Sequence, residues 1–308
     1  MHGIKIQNLT KKFDDFTAVS DLSFEVAENR VMGFLGPNGA GKTTALRMLV
    51  GLSKPTSGTV TIADCEVTFG NSSTNKLFGY LPEQPAFYAW MTGQEYLEFV
   101  ADTFGLVNEQ KKNIIAKLLC LVNLTEAKNK RIGAYSNGMK QRLGIAQALI
   151  NEPKVLIMDE PVSALDPIGR HEVLSIIENL KKTMTVLLST HILSDVDRIC
   201  DDVAIINKGK LITVSSLSEL KQKYATKILE VEFETNPENI LSDLKKQVWA
   251  TKVEKNGNQL KIWLKDNETL KSNIALKFFA NSGIDVLSYG LNLPEVEDLF
   301  IDLIKEAK

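Results

Sequence analysis

The stretch Gly36-Pro37-Asn38-Gly39-Ala40-Gly41-Lys42-Thr43 fits the pattern G-x-x-x-x-G-K-[ST]. The apolar residues before it, Val31-Met32-Gly33-Phe34-Leu35, read as a buried strand. After it, Thr44-Ala45-Leu46-Arg47-Met48-Leu49-Val50 reads as a helix. Strand, glycine loop and helix in that order are the context in which this pattern holds phosphate. Glycines let the backbone curl until successive N–H groups point at phosphate oxygens, and the helix N-terminus adds its dipole. In such a cradle Gly36, Pro37, Asn38, Gly39, Ala40, Gly41 and Thr44 surround the phosphates. Lys42 reaches the β- and γ-phosphates, and the Thr43 hydroxyl ligates Mg²⁺. A bound nucleotide is therefore expected, but the loop alone does not say what the nucleotide is for.

Outward from the loop, Val155-Leu156-Ile157-Met158-Asp159-Glu160 is an apolar run closed by two acids. An unbroken apolar run suits a parallel strand covered on both faces. Ligands of open α/β sheets sit at the carboxyl ends of such strands. Asp159 is placed to hold Mg²⁺ from the second side, and Glu160 to polarise an attacking water. Between loop and acids lies Tyr135-Ser136-Asn137-Gly138-Met139-Lys140-Gln141-Arg142, followed by the helical run Leu143–Ile150. A Ser-x-Gly segment opening a helix makes a second anion site, carried by Ser136 and Gly138.

Together these segments resemble the ATPase subunit of an ATP-binding-cassette (ABC) transporter. That family's L-S-G-G-Q signature loop is matched at Ser136 and Gly138 and departed from at Tyr135, Asn137 and Met139. Asparagine tolerates positive φ, so Asn137 is expected to keep the loop shape. The resemblance covers roughly residues 2–220 and implies further roles. Gln84, in Leu81-Pro82-Glu83-Gln84-Pro85, would ligate Mg²⁺ and sense the membrane partner. Ser163-Ala164-Leu165-Asp166 would communicate across a dimer, and His191, after the strand Thr185–Thr190, would contact the γ-phosphate. Phe13 would stack on adenine, with Phe16 as the competing ring. The family's signature loop closes the ATP of a second subunit. ATP and Mg²⁺ are thus the implied cofactors, and a second ATPase chain (an identical copy or a paralogue) and a multi-span membrane permease the implied partners. The implied location is cytoplasmic, peripheral on the inner face of the cell membrane.

Composition agrees. The chain has 308 residues, 44% hydrophobic and 24% charged, as in ordinary globular proteins. A net charge of −2 gives no global basic field, so nucleic acid is not an expected partner. No apolar run approaches the length of a spanning helix, and no N-terminal signal pattern is evident. Cys65, Cys120 and Cys200 have no paired spacing; they fit a reducing compartment and read as buried apolar residues.

The expected fold is α/β, a P-loop NTPase core with a helical subdomain, plus a small C-terminal α+β domain. The ATPase domain is placed at 1–221, its helical subdomain at about 86–150, and the accessory domain at 222–308. Within the last, Ile228–Glu234 and Gln259–Leu264 alternate with period two, and Asn256-Gly257-Asn258 suggests a hairpin turn. A helix over Asn273–Phe279 and a strand over Asp285–Tyr289 follow. The final run, Leu293–Phe300, resembles the closing segment of the bacterial drug- and peptide-resistance branch of ABC ATPases. Contact with the sister subunit or the permease is the role this domain suggests.

Three functions compete. The first is an ATP-driven export motor paired with a permease. The second is a non-transport ABC ATPase that regulates a membrane or ribosomal complex; ribosomal members usually carry two cassettes, and a single phosphate loop is present here. The third, a DNA-repair or chromosome ATPase, needs a long heptad repeat between the nucleotide motifs, which this sequence lacks. A GTPase would need Asn-Lys-x-Asp, and Asn207-Lys208-Gly209-Lys210 lacks the acid.

Overall fold

The computed structural model describes residues 2–223, 228–265, 273–291, 300 and 303. The chain divides into two compact units, Met1–Leu217 with Phe300–Lys308, and Ser218–Leu299. The division falls at the start of a helix rather than at residue 221.

The first unit opens with β1 (His2–Phe13) and β2 (Phe16–Ala27), an antiparallel pair. The phosphate loop lies between β3 (Val31–Leu35) and α1 (Lys42–Leu49). Then come β4 (Ser57–Ile62), β5 (Cys65–Glu66) and β6 (Phe78–Leu81). The helical insert is α2 (Gly93–Thr103), α3 (Asn108–Leu121) and α4 (Asn137–Ala148). Thr92 starts α2 with a capping box, accepting from the Glu95 N–H at 3.2 Å while its own N–H donates to the Glu95 carboxylate at 2.8 Å. The chain returns to β7 (Val155–Asp159), α5 (Pro167–Leu180), β8 (Thr185–Thr190), α6 (Leu193–Ile199), β9 (Asp202–Asn207) and β10 (Lys210–Ser216).

Two sheets result. One is antiparallel, in the order β2-β1-β4-β5. The other runs β10-β9-β3-β8-β7-β6, parallel except for the β9–β10 hairpin. Every residue of β3, β7 and β8 is buried, as expected of central parallel strands covered on both faces. Ile4, Ile6, Leu22, Phe24 and Val26 join Phe34, Leu46, Leu49, Ile157 and Leu187 in one apolar cluster that holds α1 against both sheets. Truncating Leu46 there to alanine is expected to cost about 2–5 kcal/mol. Burial of the cysteines holds only for Cys200; Cys65 and Cys120 are exposed, because they fall on the short edge strand β5 and on the outer face of α3.

α7 (Leu217–Lys223) crosses the division. The second unit contains β11 (Ile228–Phe233), α8 (Glu238–Leu244), β12 (Ala250–Asn256), β13 (Gln259–Leu264), α9 (Ile274–Asn281) and β14 (Val286–Leu291). Its antiparallel sheet runs β12-β13-β11-β14 over a core of its own that includes Val231, Phe233, Leu260, Ile262 and Phe279. The hairpin about Gly257 falls where the alternation places it, and the helix and the last strand each start one residue later and end two residues later than the sequence suggests. The run from Leu293, except Phe300, lies outside the described residues. Among the described residues, no helix is long and apolar enough to cross a membrane.

Candidate nucleotide-binding site

Sheet order assembles the site. β3, β8, β7 and β6 are consecutive neighbours and parallel. Their carboxyl ends therefore lie side by side, with Leu35 opposite Thr190, Asp159 opposite Ser189 and Leu81 opposite Met158. Each strand delivers the segment that follows it to the same edge: the phosphate loop, His191, Glu160 and the Glu83–Gln84 turn. Segments far apart in sequence become one site.

The loop is shaped by close approach. A Cβ on Gly36 would meet the Ile206 carbonyl oxygen at 2.5 Å. Gly41 has φ 104°, and a Cβ there would lie 2.5 Å from the Ala18 carbonyl oxygen. It precedes α1 without a side-chain cap, and the Ala45 N–H is the donor that reaches back to the Gly41 carbonyl, at 2.9 Å. The N–H groups ahead of it in α1 are those a helix leaves for an anion.

Lys42 Nζ donates to the Gly36 carbonyl at 2.7 Å and lies 3.2 Å from Glu160 Oε1. The other Glu160 oxygen is 2.8 Å from His191 Nδ1. Lys42 and Glu160 are 6% and 7% exposed. Glu160 takes a left-handed φ of 46°, a conformation glutamate rarely adopts. Its N–H donates to Ser189 Oγ at 3.0 Å, and Ser189 Oγ donates to Asp159 Oδ1 at 2.6 Å. Ser189 thus holds the acid pair in place. Burial, and after it the Asp159 carboxylate, push the Tyr80 phenol up to about 12, so it stays neutral beside that acid.

A cavity of about 490 Å³ is lined by Pro37 through Thr44 of the loop, with Phe16, Ala18, Glu83, Glu160 and His191. Phe13, across the hairpin turn from Phe16, is outside that lining; Lys11 Nζ lies 4.7 Å from its ring centroid. A second cavity of about 270 Å³ carries Gln84, Asn137, Gln141, Ser163 and Ala164, and Glu83 and Glu160 line both cavities. Gln84 therefore faces the second space, whereas its neighbour Glu83 borders both. Asp159 lines neither and is 1% exposed. Ser136 and Gly138 line neither as well.

Asn137 does not take a left-handed φ. It is the first helical residue of α4, and Ser136 is the N-cap, its hydroxyl accepting from the Met139 N–H at 3.2 Å. The cap fixes the turn, so no special backbone angle is needed there. Sequence reasoning missed Glu83 and Ser189. Ser189 carried a signal, a hydroxyl near the end of an otherwise apolar strand; Glu83 carried none beyond its place beside Gln84.

A parallel sheet bearing a phosphate loop after β3, an acid pair after β7 and a helical insert between them defines a P-loop ATPase of the cassette class. The chain belongs to the ABC transporter ATP-binding proteins. The ABC transporter family model matches residues 19–163. YxlF of Bacillus subtilis (strain 168), an uncharacterized ABC transporter ATP-binding protein, is 42% identical over 98% of this chain and 99% of its own. Bacitracin transport ATP-binding protein BcrA of Bacillus licheniformis is 37% identical over 98% of this chain and 97% of its own. A solved ATP-binding subunit of an ABC transporter superposes with TM-score 0.65 at 29% identity, over 72% of this chain and 92% of that one. The chain is accordingly the ATP-binding and ATP-hydrolysing subunit of a transporter.

Proposed function

We propose that this subunit powers export through a separate multi-span membrane permease, with two ATPase chains closing head to tail on two ATP molecules. One observation carries the reading: Lys42, Glu160 and His191 gather on the phosphate cavity, whereas Ser136 and Gly138 of the same chain line none of it. Ser136 and Gly138, lying off the phosphate cavity, are free to serve another chain's nucleotide. Export follows the resemblance to the drug- and peptide-resistance branch and the likeness to the bacitracin transport subunit along nearly the whole chain.

In this reading the phosphate loop, Gly36 through Thr44, cradles the phosphates and Lys42 neutralises the β- and γ-groups. Glu160 polarises the attacking water while His191 orients its carboxylate and meets the γ-phosphate. Thr43 on the phosphate cavity, Gln84 on the adjoining one and Asp159 at the end of β7 would each offer an oxygen ligand of the kind Mg²⁺ takes, and the ion would supply charge neutralisation at the phosphates. Adenine stacks on the hairpin that carries Phe13 and Phe16; the resemblance favours Phe13, the cavity wall Phe16. The protein works on the cytoplasmic face of the membrane, held there by its partner.

Affinity purification from detergent-solubilised membranes tests this. The expected result is a multi-span membrane protein whose addition in proteoliposomes stimulates ATP turnover. Recovery with ribosomes, and no stimulation by any membrane protein, would favour the non-transport reading instead.

A further inference from the structure

Arg142 is the one charged side chain among the buried positions of α4, and it is 7% exposed. Its guanidinium joins three helices. Nη1 donates to the carbonyls of Val122 and Asn123, at 2.8 and 3.0 Å, where α3 ends. Nη2 lies 3.4 Å from Glu172 Oε2 on α5. Nε has no hydrogen-bond partner among the described residues. A cation beside helix-terminal carbonyls is favourable, but a buried guanidinium with an unmet donor is an expensive way to stabilise a core, and an apolar side chain of similar volume usually does as well or better. What the planar fork supplies is direction.

That direction bears on the signature segment. α4 begins at the Ser136 cap, and its first turn touches the first turn of α5: a Cβ on Gly138 would lie 3.5 Å from the Gly169 Cα. The Arg142–Glu172 pair makes a second tie between the same two helices, about one turn further along each. α5 in turn follows the Glu160–Leu165 segment that lines the second cavity. The glycine contact and the Arg142–Glu172 pair together hold the start of α4 against α5 at two points.

We propose that Arg142, braced by Glu172, is a positioning residue that aims the signature segment at the nucleotide of the partner subunit. The inference rests on the head-to-tail reading above. Lesions in Arg142 then act on the partner's site and leave the chain's own nucleotide cavity unchanged.

The test uses full-length Arg142→Met, which keeps volume and removes the fork, and Glu172→Gln, which keeps shape and removes the charge. Both are expected to keep wild-type affinity for ATP and an unreduced melting temperature, with kcat down about tenfold. The decisive readout is complementation. Arg142→Met mixed with a Lys42→Ala chain places both lesions in one site and leaves the other intact, so the mixture regains activity over either chain alone. Ser136→Arg mixed with Lys42→Ala is the control. If the control regains activity and the Arg142→Met mixture does not, Arg142 acts within its own site or on folding, and the proposal fails. If neither mixture regains activity, the head-to-tail reading fails and takes this inference with it. Full activity of Arg142→Met alone would also overturn it.

Discussion

Two helix N-termini, those of α1 and α4, follow glycine-containing segments and differ in how their first N–H groups are met. α1 is preceded by Gly41, whose backbone is left-handed and which offers no side chain to cap it. Beside that uncapped start stand Lys42, Glu160 and His191 on the wall of the phosphate cavity. α4 is preceded by Ser136, which meets one of the helix's own donors. The difference fits the proposal that one chain carries two anion sites with different roles. In that proposal the α1 start takes the chain's own nucleotide, with Lys42 and Glu160 beside it. In the head-to-tail proposal the capped α4 start meets a phosphate of the other chain's nucleotide.

The sharpest way to break that contrast is at Glu160, the proposed water-polarising carboxylate. Glu160→Gln should lower steady-state ATP turnover about 10²–10⁴-fold while leaving ATP bound, because an amide does not polarise water. Near-normal turnover would remove Glu160 from the chemistry. Next in size is Lys42→Ala. It deletes a charge-assisted contact of roughly 1.5–3 kcal/mol, about a tenfold to hundredfold loss of ATP affinity by calorimetry. Unchanged affinity would mean that α1 is not the phosphate site. The adenine ring comes third. Phe13→Ala and Phe16→Ala should differ, one of them weakening ATP by about 1 kcal/mol, roughly fivefold, and the other by little. Two silent variants would take adenine off this hairpin. The smallest effect concerns the cap itself. Ser136→Ala should cost about 1 kcal/mol of stability, seen as a melting temperature lower by roughly 2 °C, with the chain's own ATP affinity unchanged. A changed affinity would place Ser136 in its own nucleotide site.

The sequence carried the sheet strands, the loop and the acid pair because each is a local pattern with one physical meaning. An apolar run ending in acids gives a parallel strand end, and a Ser-x-Gly segment gives a helix start. Which faces those segments present was harder to read. Glu83 and Gln84 are adjacent, so which one reaches the phosphate side depends on how the chain leaves β6, which neither residue type reveals. Phe13 and Phe16 flank one turn, and their difference lies in the hairpin register. Asparagine's tolerance of positive φ suggests that Asn137 keeps the loop shape by its own backbone, but the Ser136 cap one residue earlier does so instead. Arg142 was visible only as part of a motif; its partners Val122, Asn123 and Glu172 come from two other helices, and no spacing in the sequence announces them.

In the proposed dimer the phosphate cavity and the signature segment of one chain serve different nucleotides. Size-exclusion chromatography with ATP tests it most directly, using the Glu160→Gln chain with and without Ser136→Arg. The predicted result is an ATP-dependent dimer for Glu160→Gln and, once Ser136→Arg is added, a monomer that still binds ATP. A doubly substituted chain that dimerises with ATP as readily as Glu160→Gln alone would contradict the claim.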